Sequence, residues 1–233
     1  MQSDIIEFEG KRLRIFSHSD ADESVVAEIF KWREYKAAED IIRSTRSPIL
    51  DVGAHIGIFS LYASVLNPRA KIYAIEPEEE NFENLGKNIK ENGASNVRLF
   101  RLALCGRSGK RILSLAPDDI NHRLVPEGEP EPGGDRQEVR GESLPDFIAK
   151  NGIISVGLLK MDIEGGEYEI FENMSDADFG RVENVILEYH SIRGKGPKDL
   201  ERLLRENGFS VQIFPSRFEK GLGFIFARNR RLG

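Results

Sequence analysis

With 233 residues and a mass of 26.3 kDa, the chain has the size of one domain, or of one domain with a small appendage, and can bury a sizeable core. Hydrophobic residues at 39% and charged residues at 31% exclude collagen-like, coiled-coil and wholly disordered classes. A formal charge of −6 and a pI near 5.4 provide no broad positive field, so nucleic acid and anionic lipid start as disfavoured partners.

The single cysteine, Cys105, can form neither an internal disulfide nor a multi-thiolate metal site, and it reads as a small buried apolar residue. The opening MQSDIIEFEGKRLR carries charges where a leader needs an apolar stretch, and no apolar run is long enough to span a bilayer. The expectation is a cytoplasmic protein without membrane insertion.

Residues 1–47 read as an N-terminal extension packed on a main domain of residues 48–233. In it, IIEFEGKRLRIF is a predicted hairpin around Gly10 and ESVVAEIFKWREY a predicted amphipathic helix. Beyond it, short β-type runs alternate with helical stretches, the signature of parallel strands joined by crossover helices. Pro48 to Gly53 is a predicted strand ending in a glycine turn, and Ile56 to Leu66 a helix stopped by Asn67 and Pro68. Lys71 to Pro77 is the second strand. In EEENFENLGKNIKENG, Phe82, Leu85 and Ile89 share one helical face, acids fill the first turn, and Gly93 caps the end. Val97 to Leu104 is the third strand, from which RILSL (Arg111 to Leu115) is expected to turn back through Gly106 and Gly109.

Between Ala116 and Glu138 prolines and glycines break both periodicities, giving a loop long enough to be either filler or an active-site cover. After a short helix over Leu144 to Lys150, Ser155 to Asp162 is nearly continuously apolar, as expected of a central strand buried on both faces. GEYEIFENM reads as helix and Val182 to His190 as strand. PKDLERLLRENG is a helix opened by Pro197 and closed by Gly208, and FSVQIF and LGFIFAR form an antiparallel pair.

The strongest local signal is Asp51-Val-Gly53-Ala-His55-Ile-Gly57 at a strand-to-helix junction. Glycines there let the backbone turn tightly and approach a ligand, and the helix start offers free amide donors. The Gly-x-Gly-x-x-Gly spacing of a dinucleotide site is not met. No Lys or Arg occurs from Ser47 to Pro68, and an acid precedes the first glycine, which suits a cationic ligand better than a phosphate. Glu76 closes the next strand at about the spacing where a carboxylate meets ribose hydroxyls. A nucleoside carrying positive charge satisfies both features, and S-adenosylmethionine is such a molecule.

From about Glu34 to Arg228 the chain resembles the FkbM family of class I S-adenosylmethionine-dependent methyltransferases. EY, LDVGAHIGIFSLYAS, AIEP, ALCGRSG, LKMDIEGGEYEIF and ILEYH occur in that family's order and spacing. The resemblance implies an α/β fold, a Rossmann-like seven-stranded, mostly parallel sheet with one antiparallel strand, and methyl transfer to a hydroxyl oxygen of a small-molecule, sugar or glycan acceptor. It also implies a cofactor pocket with Asp51, Gly53, Ala54, His55 and Gly57 around the methionine part and Glu76 on the ribose. Pro77, Ala103 and Leu104 would lie near the adenine, Tyr35 would cover the pocket, and Asp162 would border it. His55 stands where the family usually has Asn, and its imidazole either touches the cofactor or points away.

Ligands in open α/β sheets bind outside the carboxyl ends of the strands. Two strands end there in Asp162, Glu164 and Glu167, and in Glu188 and His190. Methyl transfer needs alignment, exclusion of water and a base for the acceptor's proton. The expectation is His190 as base, supported by Glu188 or Asp162. The same carboxylates and imidazole could hold a divalent ion, a less favoured reading, and Glu167 is expected to cap the following helix. His122, in the long loop beside Asn121 and Arg123, is expected in solvent, with contact to the substrate on closure of the loop as the less favoured reading. Two other readings of the same features are an RNA methyltransferase, for which Arg217, Lys220, Arg228, Arg230 and Arg231 form a small basic cluster, and a nucleoside-binding protein without turnover.

Overall fold

The hydrophobic runs of the sequence become strands where both faces are covered, and this decides the architecture. A computed structural model describes residues 2–116, 121–125, 134–192, 194–216 and 221–232. In chain order its elements begin with β1 (Gln2–Phe8), β2 (Lys11–Ser17), α1 (Asp20–Val26), α2 (Glu39–Ser44), β3 (Ile49–Val52), α3 (Ile58–Leu66), β4 (Ile72–Ile75), α4 (Glu79–Glu91) and β5 (Val97–Phe100). There follow β6 (Ala103–Cys105), β7 (Gly109–Ser114), β8 (Arg123–Leu124), β9 (Arg136–Ser143), α5 (Leu144–Lys150), β10 (Leu158–Met161), α6 (Glu167–Glu172) and α7 (Asp176–Phe179). The chain finishes with β11 (Asn184–His190), α8 (Pro197–Glu206), β12 (Phe209–Pro215) and β13 (Leu222–Asn229).

Seven strands form the main sheet in the order β12-β13-β11-β10-β3-β4-β5. All pairs from β11 to β5 are parallel, and β13 alone runs against its neighbours, so the expected mostly parallel sheet with one antiparallel strand is present. Every residue of β3, β4 and β10 is buried. Phe147 of α5, Phe171 of α6 and Leu204 of α8 cover one face, while Ile42 of α2, Phe59 and Leu61 of α3, and Leu85 of α4 cover the other. No helix among the described residues is long and apolar enough to cross a membrane. Cys105 is buried.

Three local expectations change. The run from Val97 to Leu104 is two strands, β5 in the main sheet and β6 in a second sheet of order β6-β9-β7-β8. β7 does not pair with β6, because β9 lies between them, parallel to β6 and antiparallel to β7. The predicted helix over ESVVAEIFKWREY is broken: after α1 it loosens into a π-helix (Ala27–Trp32) and, across a left-handed Arg33, continues as a 3-10 turn (Glu34–Ala38). Part of the 116–138 loop lies outside the described residues; the described part contains β8 and leads into β9.

The β1–β2 hairpin around Gly10 is held to α4 by amides. Asn88, fully buried, accepts the Phe16 N–H at 2.8 Å and donates to the carbonyls of Phe16 (3.2 Å) and Ile56 (2.9 Å). Asn92 exchanges a similar pair with Arg14. Asn88→Ala unpairs buried backbone groups on two segments at once and should cost about 2–3 kcal/mol in urea unfolding; a loss below about 0.5 kcal/mol would show that these bonds do not hold the hairpin.

Candidate active site

Parallel pairing brings the carboxyl ends of β3, β4, β10 and β11 to one side of the sheet, and the turns that follow them enclose a cavity of about 710 Å³. Gly53 leaves β3 at φ +73, and a Cβ there would collide with the carbonyl oxygen of Asp162, so only glycine lets these two strand ends approach so closely. Two residues on, His55 is itself left-handed (φ 50), and its N–H donates to Glu76 Oε2 at 2.8 Å. The Glu78 N–H donates to Glu76 Oε1 at 3.0 Å. Glu76 is thus clamped at the cavity wall, with a second lone pair on each oxygen still available. Burial pushes its pKa up against the lowering effect of these backbone donors.

The His55 imidazole turns toward the N-terminal segment, with Nε2 3.1 Å from Asp22 Oδ1. Burial alone would raise the Asp22 carboxyl. The contact with His55 and the His18 N–H outweigh it and hold that carboxyl below the usual range. His55 therefore ties the start of α1 to the glycine turn while still lining the cavity.

Gly53, Ala54, His55, Glu76, Pro77, Ala103, Leu104, Asp162, Glu188, His190 and Tyr35 all line this one cavity. Tyr35 also packs edge-on against Phe59 (4.8 Å) and Phe224 (5.4 Å), and burial raises its hydroxyl well above the ordinary value. Two expected members lie behind the wall instead. Asp51 is completely buried, accepting the Ser60 hydroxyl at 2.6 Å and facing Lys160 Nζ at 3.1 Å. Gly57 opens α3 at φ +89, and its missing side chain makes room for Leu85 of α4. His122, expected in solvent, lines the cavity, with its Nδ1 accepting the Ala116 N–H at 2.9 Å.

Sequence reasoning missed Lys160, Glu28 and Glu34. Lys160 Nζ donates to the Gly53 carbonyl at 2.7 Å, and although burial would lower its pKa, Asp51 and Asp162 raise it. Its signal was legible: a lysine inside an apolar central strand needs a buried acid beside it, and Asp51 is its register partner on β3. Glu28 and Glu34 lie on the π-helix and the 3-10 turn, whose irregular geometry no helical periodicity announces. Burial raises both, and the charge of Glu28 helps bring Glu34 to about 7.

Asp162, Glu188 and His190 present side-chain atoms within 4.8 Å of one another. Burial, then the charge of Asp162, pushes Glu188 up to about 9. The carboxylates nearest the imidazole are not the expected Glu188 or Asp162. Glu164 lies 3.3 Å from Nε2 and Glu167 3.5 Å from Nδ1. Burial alone would lower His190, but Glu167, Glu164 and Asp162 raise it to about 10. Glu167 stands at the first position of α6, where no side-chain cap bond forms; its carboxylate instead accepts the Ile163 N–H of the preceding turn at 3.1 Å and faces His190. Both shifts favour the protonated forms, a neutral Glu188 and a His190 imidazolium that carries no free lone pair.

Residues 51–211 match the family described as Methyltransferase FkbM domain. The 31-O-demethyl-FK506 methyltransferase FkbM of Streptomyces tacrolimicus is 28% identical over 193 residues, covering 70% of this chain and 72% of that protein. The hexuronic acid methyltransferase AglP of Haloferax volcanii is 26% identical over 213 residues, covering 88% of this chain and 82% of that protein. The N-terminal domain of human METTL16 in complex with SAH shares the fold, with a TM-score of 0.51 at 16% identity over 85% of this chain and 69% of that one.

Both raised groups bind their protons more tightly in the folded than in the unfolded chain. Glu188 loses stability as pH climbs from 4.5 toward 9, and the contribution of His190 is full below 6.5 and gone above about 10. The two act in the same direction, so the melting temperature followed by circular dichroism should fall steadily between pH 7 and 10. Glu188→Gln should flatten the fall up to pH 9, and an unchanged slope in that variant would contradict the assignment.

Proposed function

The chain belongs to the FkbM methyltransferase family, and we propose that it moves a methyl group from S-adenosylmethionine to a hydroxyl oxygen of a small molecule, sugar or glycan. The observation that carries this reading is the charge of the cavity. Among the described residues Glu28, Glu34, Glu76, Asp162, Glu164 and Glu188 line it against Lys160, at the glycine turn that first suggested a cationic nucleoside, and the His190 imidazolium. Acids raised by burial and by one another gain when a cation arrives, and a phosphate would meet repulsion there. The relatives support the acceptor class: one is named for an O-demethyl substrate and another for hexuronic acid. In this reading residues 1–47 cover the cofactor side of a catalytic domain of residues 48–233.

The residues fit the cofactor. Glu76, with spare lone pairs on both oxygens, would accept the ribose hydroxyls; Gly53 and Ala54 would border the methionine part, and Pro77, Ala103 and Leu104 the adenine. When bound, the cofactor supplies a methyl carbon made electrophilic by a positively charged sulfur. The chain's own residues align the acceptor, exclude water and take its proton. Glu188, once its own proton has been lost to solvent, would be the carboxylate that receives the proton leaving the acceptor oxygen. His190, kept as imidazolium by Glu164 and Glu167, stays next to that carboxylate and stabilises it.

Calorimetric titration with S-adenosylmethionine and the neutral S-adenosylhomocysteine tests the reading. Both should bind, and the preference for the cationic form should grow as pH rises from 6 to 9 and Glu34 and Glu188 ionise. Glu76→Gln should weaken both by about tenfold or more. No binding of either compound, or a preference that shrinks with rising pH, would overturn it. Glu188→Gln should lower methyl transfer by at least about 100-fold while leaving S-adenosylhomocysteine binding near the wild-type value.

A further inference from the structure

A second cavity, of about 380 Å³, adjoins the first and shares Leu124, Glu164 and Gly166 with it. The sharing is chemically pointed, because Glu164 is also the residue that contacts His190 at 3.3 Å. A molecule seated in this second cavity would reach, past Glu164, the group of residues assigned above to proton transfer.

Three acids, Glu164, Glu169 and Glu172, and three bases, Arg107, Arg123 and Lys195, line the second cavity, and the acids have cationic partners other than the two arginines. Glu169 is taken by Arg111 through two bonds of 2.7 and 3.0 Å, and although burial would raise it, these bonds hold its carboxyl below the ordinary range. Glu172 is taken by Lys195 Nζ at 2.6 Å, and Glu164 by His190. Arg107 and Arg123 remain: both are exposed and both line the cavity, neither guanidinium has a hydrogen bond or close ion pair among the described residues, and Arg107 adds only its longer-range charge to the hold on Glu169. They come from different elements. Arg107 follows β6, and Arg123 sits on β8, whose pairing with β7 opposite Ser114 fixes its place. Two unpaired planar forks at one concave site suit a two-oxygen or three-oxygen anion.

We infer that this cavity is the acceptor's subsite for a negatively charged group, a carboxylate or a phosphate ester, held by Arg107 and Arg123. The inference rests on the methyltransferase reading and narrows its substrate class to acidic or phosphorylated acceptors. It also divides the site by charge. The acidic cavity takes the cation, Arg107 and Arg123 at the second take the anion, and Glu164 stands on the wall the two cavities share.

The test titrates D-glucuronate, glucose 6-phosphate and glucose into the full chain saturated with S-adenosylhomocysteine. At least one charged sugar should bind saturably and glucose should not; the stronger of the two identifies the anion as carboxylate or phosphate. The double variant R107Q/R123Q should bind that sugar at least about tenfold more weakly with unchanged S-adenosylhomocysteine affinity, the latter showing that it is folded. Failure of both charged sugars, equal binding of glucose, or full affinity in the double variant overturns the inference while the methyltransferase reading stands. Failure of S-adenosylhomocysteine to bind the wild-type chain overturns both.

Discussion

A charged pair at the centre of the sheet organises everything around it. Lys160 on β10 and Asp51 on β3 are register partners, both almost wholly buried, and they face each other at 3.1 Å. A lone charge at that depth would be strongly unfavourable, and a pair tolerates burial only when its remaining donors and acceptors are also met. Here Ser60 donates to the other Asp51 oxygen, Lys160 donates to the carbonyl of Gly53, and the ammonium faces the remaining Asp51 oxygen. Because strand side chains alternate faces, a slip of one residue between β3 and β10 would leave both charges unpaired, so the pair selects one register. The same ammonium fixes the Gly53 carbonyl, and with it the turn on which Ala54, His55 and Glu76 depend.

From that fixed point the cavity's chemistry follows by accumulation. Asp162 leaves β10 two residues after Lys160, against Gly53, and Glu188 arrives from β11 at the same level. Crowded carboxyls in a half-buried site cannot all stay ionised, and the structure relieves the crowding with protons: Glu34 is raised to about 7, Glu188 to about 9 and His190 to about 10. Such a cluster is poised to exchange protons for a cationic ligand. It is a poor place for the usual neutral histidine base, because the acids that orient the imidazole also keep it protonated.

What was legible in the sequence was what local pattern controls. The glycine turn after β3, Glu76 at the end of β4, the apolar central strand β10 and the final antiparallel pair could all be read from periodicity and strand-end chemistry. The rest is set by contacts between distant segments. Gly57 looks like a ligand glycine because it lies in the same short motif as Gly53, yet its small size serves Leu85 on another helix. Asp51 looks exposed to the ligand because it precedes the turn, yet its partner is a lysine more than a hundred residues later in the chain. His55 finds Asp22 in the N-terminal segment. The Val97 to Leu104 run reads as one strand because nothing in its apolarity records that Ala103 to Cys105 pair with β9 in another sheet.

This contrast bears on how one scaffold can serve different acceptors. The side of the cavity toward Glu76 is bounded by strand ends and by turns clamped through backbone hydrogen bonds, so it changes little without loss of the fold. The opposite boundary is drawn from elements with weaker internal constraints: the π-helix that ends in the exposed Trp32, the end of β12 with exposed Phe214, and the short β8. Residues there contribute surface and charge rather than sheet register, and substitutions among them cost little stability. An aromatic rim and two unpaired arginines are features that such a boundary can gain or lose independently of the sheet, whereas the buried lysine and its aspartate cannot be exchanged one at a time. In the proposed reaction acceptor choice is therefore free to vary along the rim, while the register of β3 against β10 would keep the cationic half in place.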